Sequence, residues 1–250
     1  MNKIEKKMDV IFVIDRSGSM HGFEKDTIGG FNSIIEEHKK DGINSKITAV
    51  LFDDKYEVLF ERKPVNEVKP LTEKEYYARG MTALIDAVGK TITTLDRKVD
   101  NDVLFVIITD GYENASKEYT KSQVKNLIKN HKWEFLYLGA DIDSFSEASS
   151  IGIKKDNTAN YCKSEVGFKT AYRSVGAVSK KLYRKEKLDS SWKEELENRY
   201  RNNFYLNFQL WGEYLYRLKK IQSKMYSAVK MKMFKTSNLN IFQNRKVIKT

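Results

Sequence analysis

Val10-Ile11-Phe12-Val13-Ile14-Asp15-Arg16-Ser17-Gly18-Ser19 decides how the rest of this 250-residue chain is read. Five apolar residues in an unbroken run, ended by turn formers, describe a strand buried on both faces, as in parallel sheets. The loop leaving that strand presents a carboxylate and two hydroxyls at alternate positions, Asp15, Ser17 and Ser19, with Gly18 to let the backbone turn tightly. Hard oxygen donors gathered at a strand's carboxyl end suit a small hard cation such as Mg2+.

Outward from this junction, strand-like and helix-like segments alternate to about residue 184. Ile28, Phe31, Ile34 and Ile35 recur at helical spacing, and Ile47–Phe52 and Tyr56–Phe60 read as short strands joined by the turn Asp53-Asp54-Lys55. Residues 64 to 80 carry Pro64 and Pro70 and read as a long polar loop. Leu84, Ile85, Val88, Ile92 and Leu95 form one face of a second helix, and Val103–Ile108 is a further wholly apolar strand. Thr120-Lys121-Ser122-Gln123 has the form of a capping box in front of Val124, Leu127 and Ile128. Phe135–Leu138 is another buried strand, and Phe168, Ala171, Tyr172, Val175 and Leu182 mark a closing helix. Such alternation predicts an α/β class: a doubly wound, mostly parallel, Rossmann-like sheet with helices on both faces.

The composition is that of a globular protein, and its length allows a sizeable core. One cysteine, Cys162, excludes an internal disulfide framework and fits a reducing compartment. The charged start and the short apolar run after it do not read as a signal peptide, and no stretch is long enough to span a bilayer. The expected location is cytoplasmic. The net charge of +11 lies wholly in the last fifth: residues 199–250 hold twelve Lys/Arg against Glu213 alone, so residues 1–198 balance. Two segments are therefore expected, residues 1–188 as the α/β domain and residues 189–250 as a basic, aromatic-rich extension. In the extension Leu206, Leu210, Tyr214, Leu218, Ile221, Met225 and Val229 recur every three or four residues, as in an amphipathic helix that loosens after Lys235.

In an open α/β sheet, ligands bind beyond the carboxyl ends of the strands, where loops converge. Three loops qualify: Asp15-x-Ser17-x-Ser19, then Gly80-Met81-Thr82 before a helix, then Thr109-Asp110-Gly111 after a strand. Together they offer two carboxylates and three hydroxyls, leaving water or an external ligand to complete a near-octahedral shell. The segments DRSGSM, RGMTALIDAVG and VIITDGYENAS resemble, in order and spacing, the von Willebrand factor A (VWA) domain and its metal-ion-dependent adhesion site (MIDAS). The likeness covers roughly residues 8–184 and is nearest to the small stand-alone bacterial members. The resemblance implies that Ser17, Ser19 and Thr82 ligate Mg2+, or Mn2+, through hydroxyls, and that Asp15 and Asp110 bind directly or through water. It also implies a protein partner whose Asp or Glu fills the remaining position.

Other chemistry finds less support. Aspartyl phosphoryl transfer wants a second carboxylate two residues after Asp15, where Ser17 stands. Acyl transfer lacks a Gly-x-Ser-x-Gly elbow, and no Gly-rich phosphate loop with a lysine is present. The expectation is a non-enzymatic binding module without a small-molecule substrate. His21 reads as a solvated loop residue, His38 and His131 as structural or exposed, and Asp53-Asp54 as a turn. Tyr112, Glu113 and Asn114 border Asp110 and are candidates for the binding face, ahead of Glu24 and Tyr77. For the basic extension, docking on its own domain or on a partner ranks first. Contact with nucleic acid or an anionic membrane is the alternative function, and a read-through or frame-shifted origin is the third reading.

Overall fold

The apolar run of the opening motif is the centre of β1 (Met8–Asp15), a strand in which every residue is buried. The computed structural model describes residues 6–99, 101–203, 205, 209, 219 and 220. After β1 come α1 (Glu24–Lys40), β2 (Ser45–Phe52), β3 (Tyr56–Pro64), α2 (Leu84–Leu95), β4 (Asp102–Thr109), α3 (Lys121–Asn130), β5 (Glu134–Ala140), α4 (Ser144–Ser150), β6 (Thr158–Tyr161) and α5 (Glu165–Tyr183). The sheet runs in the order β3-β2-β1-β4-β5-β6, with β3 antiparallel and the other pairs parallel. This is the expected doubly wound α/β architecture.

Alternation along β1 explains why it is apolar throughout. Val10, Phe12 and Ile14 join the core under α1 and α5, whereas Ile11 and Val13 join the core under α2 and α3. A central strand covered on both faces has no solvent side, so every residue must be apolar until the strand ends. The capping box at the start of α3 is formed: Thr120 and Gln123 satisfy each other's backbone N–H groups. The hairpin of β2 and β3 turns at Asp53, whose side chain accepts the Lys55 N–H at 2.6 Å.

The stretch from residue 64 to residue 80 is irregular, as expected, but it is anchored rather than loose. Val65, Val68, Leu71 and Tyr76 are buried in the core. Asn32 on α1 holds the Leu71 backbone from both sides, accepting its N–H at 2.7 Å and donating to its carbonyl at 2.9 Å.

The chain divides into two compact units, Met1–Arg201 and Asn202–Thr250. The first extends past residue 188, because Trp192 and Leu196 are buried in the core beneath α5. In the second, residues 202, 203, 205, 209, 219 and 220 are described and are helical. The amphipathic pattern from Leu206 to Val229 falls outside the described residues. Among the described residues no helix is long and apolar enough to cross a membrane.

Candidate metal centre

Strand register builds the site. β1 and β4 lie side by side with Ile14 opposite Ile108, so Asp15 arrives beside Thr109 and one residue from Asp110. Thr109 Oγ1 donates to Asp15 Oδ2 at 2.5 Å, and the Ser17 N–H donates to Oδ1 at 2.6 Å. Asp15 is fully buried. Burial pushes its carboxyl up to about 6, against the hydrogen bonds from Thr109 and Ser17 that favour the charged form. A carboxylate so poorly solvated gains much from a cation placed beside it.

Ser17 Oγ lies 3.1 Å from Ser19 Oγ, and Ser19 Oγ donates to Asp110 Oδ1 at 2.5 Å. That last bond joins residues 91 positions apart in the chain. Thr82 comes to the same place through its backbone. Its N–H donates to Asn114 Oδ1 at 2.9 Å, and its carbonyl accepts the N–H groups of Asn114 and Ala115. A Cβ on Gly111 would lie 2.9 Å from Thr82 Oγ1 and 3.4 Å from Ser19 Oγ, so both hydroxyls crowd one glycine. The Gly18 N–H donates to the Gly80 carbonyl at 3.0 Å, which ties the first loop to the second. Gly80 has φ +69°, and a Cβ there would strike Asp54 Oδ1, so only glycine serves.

The structure thus brings the three predicted loops to one rim of the sheet. Ser17, Ser19 and Asp110 form a hydrogen-bonded chain, Thr82 borders it, and Asp15 stands behind Ser17. Ser19 is exposed, whereas Asp15, Ser17, Thr82 and Asp110 are buried. Among the described residues no group of three or more His, Cys, Asp or Glu is arranged to hold a metal ion. The donor set is two carboxylates with neutral hydroxyls, which fits a hard divalent ion and disfavours a soft one.

A second layer holds these groups, and most of it escaped the sequence reading. Tyr76, wholly buried in the polar-looking loop, donates its hydroxyl to the Asp15 carbonyl at 2.6 Å. Arg16 is wholly buried; its Nε donates to Asp53 Oδ2 at 3.2 Å and its Nη2 lies 2.7 Å from Glu57. Arg79 Nε donates to the same Asp53 oxygen at 2.6 Å. Asp53 is therefore an anchor for two arginines. Glu113 and Asn114 act as braces: Glu113 accepts the Ile85 N–H at the start of α2 and the N–H groups of Ala115 and Ser116. Tyr112 stays exposed, with its hydroxyl accepting the Asp143 N–H.

Lys163 was also missed. It follows β6, yet its Nζ lies 2.7 Å from Asp110 Oδ2 and donates to the Ser19 carbonyl. No local pattern marks a lysine that reaches two neighbouring loops. The histidines take no part: His21 is exposed beside Glu24, His38 is buried against Ser45, and His131 pairs with Asp96. Cys162 is buried.

No protein-family model and no curated protein matches the chain. Solved structures do. Proximal thread matrix protein 1 from the mussel byssus, in a form described as having a zinc-occupied MIDAS motif, matches at 16% identity and a TM-score of 0.51, over 70% of this chain and 46% of its own. The pilus adhesin SpaC of Lactobacillus rhamnosus GG matches at 12% identity and TM-score 0.59, over 72% of this chain and 31% of its own. The PilB minor pilin of Streptococcus sanguinis, as a D319A mutant, matches at 12% identity and TM-score 0.55, over 72% of this chain and 63% of its own. The chain therefore spans less than half the length of the mussel protein. At identities this low the likeness concerns the fold alone. That fold is a VWA-like α/β domain.

Proposed function

We propose that this domain is a divalent-metal-dependent protein-binding module. Ser17, Ser19 and Thr82 would hold Mg2+, or Mn2+, through hydroxyls, with Asp15 and Asp110 acting directly or through water. A bound ion would supply an electrophilic centre for a partner's Asp or Glu carboxylate. The chain's own part is to fix five oxygen-bearing side chains, keep the carboxylate count at two, and leave the rim open at Ser19. Neutral hydroxyls add no charge, so a divalent ion held this way stays attractive to a further carboxylate. The observation that carries the reading is the hydrogen-bonded run from Ser17 through Ser19 to Asp110, which gathers distant loops around one point. Two similar structures support the class by name, one as an adhesin and one with a metal-filled MIDAS. No step of the proposal is enzymatic, and the proposed setting is cytoplasmic.

The test is capture of partners from the native host by the full chain, with and without a chelator, alongside Asp110→Ala. Binding that disappears with chelator and with Asp110→Ala supports the proposal. Binding that survives both overturns it and favours the basic extension, whose contacts should weaken steeply with salt.

A further inference from the structure

We propose that Lys163 is a tuning cation for the metal centre: its ammonium offsets one of the two site carboxylates, weakening the hold on a divalent ion and leaving the loaded site without net negative charge. This rests on the metal-site reading above. Three observations place the group. Its Nζ lies 2.7 Å from Asp110 Oδ2, it donates to the carbonyl of Ser19, and it sits 5.4 Å from the centroid of the Phe23 ring. The side chain is three-quarters covered, at 25% exposure, and Asp110 is covered fully. A contact this sheltered is screened far less than a surface pair.

The two oxygens of Asp110 face different groups. Oδ1 accepts from Ser19 Oγ, on the side of the hydroxyls that would hold an ion, while Oδ2 faces Lys163. The lysine can therefore keep its carboxylate while Oδ1 serves the metal side. Phe23 stacks on Phe168 with ring centroids 5.1 Å apart, and Phe168 lies on α5, which begins two residues after Lys163. The Asp141 carboxylate lies within electrostatic reach of both Lys163 and Asp110.

Charge then sets the outcome. Asp53 is offset by Arg16 and Arg79, so the ionic groups in reach of Asp110 are Asp15, Asp141 and Lys163. With the lysine these four groups sum to two negative charges rather than three. A divalent ion is then held less tightly, and the loaded site carries no net negative charge to repel an anionic partner group. A neutral side chain at position 163 reverses the first effect.

The experiment titrates Mn2+ alone into the full chain, following free ion by electron paramagnetic resonance, for the wild type, Lys163→Met, Lys163→Gln and Lys163→Arg. Loss of one adjacent unit charge should tighten Mn2+ binding about tenfold in both neutral variants, with arginine keeping the wild-type affinity. Two neutral variants guard against one that misfolds, and circular dichroism identifies it. Wild-type binding with unchanged or weaker affinity in the folded neutral variants overturns the role of Lys163 and leaves the metal centre standing. A wild type that takes up no Mn2+ overturns the metal centre and the tuning role with it.

Discussion

His38 shows how one side chain writes a pH dependence into the fold. It lies on α1 with Nδ1 3.0 Å from Ser45 Oγ, and Nε2 is buried without a hydrogen-bond partner. Burial lowers its pKa from the ordinary 6.5 to about 4, helped by Lys180 on α5 and opposed by Glu37 and Asp41. The native state then resists a proton that the unfolded chain accepts below about pH 6.5. Stability should fall as pH drops from about 6.5 to about 4, by about 3 kcal/mol in all. Denaturant titrations across that range should show this slope in the wild type and a shallower one in His38→Gln. An equal slope in both would remove His38 as its source. The same scale shows what sequence could reveal of the site. Asp15, Ser17, Ser19, Thr82 and Asp110 stand in short segments whose spacing reports their loops. Tyr76 and Lys163 do not: each reaches the site through tertiary packing, which no local spacing encodes.

At the scale of elements, α1 and α5 meet through a glycine. A Cβ on Gly30 would lie 2.2 Å from Tyr172 Cδ2, whereas one on Gly29 would meet nothing within 4 Å. Gly30→Ala should therefore destabilise by about 1–3 kcal/mol, because overpacking exceeds the gain in helix propensity. Gly29→Ala should stabilise by up to about 1 kcal/mol. Urea midpoints of the two variants check both signs, and a stable Gly30→Ala would mean that α5 yields easily. The elements that sequence periodicity missed share one physical trait. β6 has four residues and α4 has seven, Ser-Phe-Ser-Glu-Ala-Ser-Ser, of which Ser144 and Ala148 are buried. Neither is long enough, or apolar enough, to show a period. Their packing against β5 and against each other defines them instead. By contrast α2 was legible because Leu84, Ile85, Val88, Ile92 and Leu95 are all buried on one face.

For the whole molecule, a site built from loops far apart in the sequence couples ion binding to folding. The unfolded chain cannot hold Ser19 beside Asp110, so an ion would stabilise only the native state. At about one hundred times its Kd the gain is about 2.7 kcal/mol, which for a domain of this size raises Tm by roughly 5–10 °C. Differential scanning fluorimetry with Mg2+ should show that rise in the wild type and its loss in Asp110→Ala; equal shifts would place the ion elsewhere. The sheet that carries this rim has two outer strands, β3 and β6. β3 is broken by two register shifts, carries Glu57, Glu61 and Lys63, and ends in Pro64. Along β6 the buried Lys193 donates to the Thr158 carbonyl, and Trp192 Nε1 to that of Asp156 just before it. Both margins are thus interrupted or partly capped, which makes edge-to-edge zipping of another copy onto the sheet less favourable.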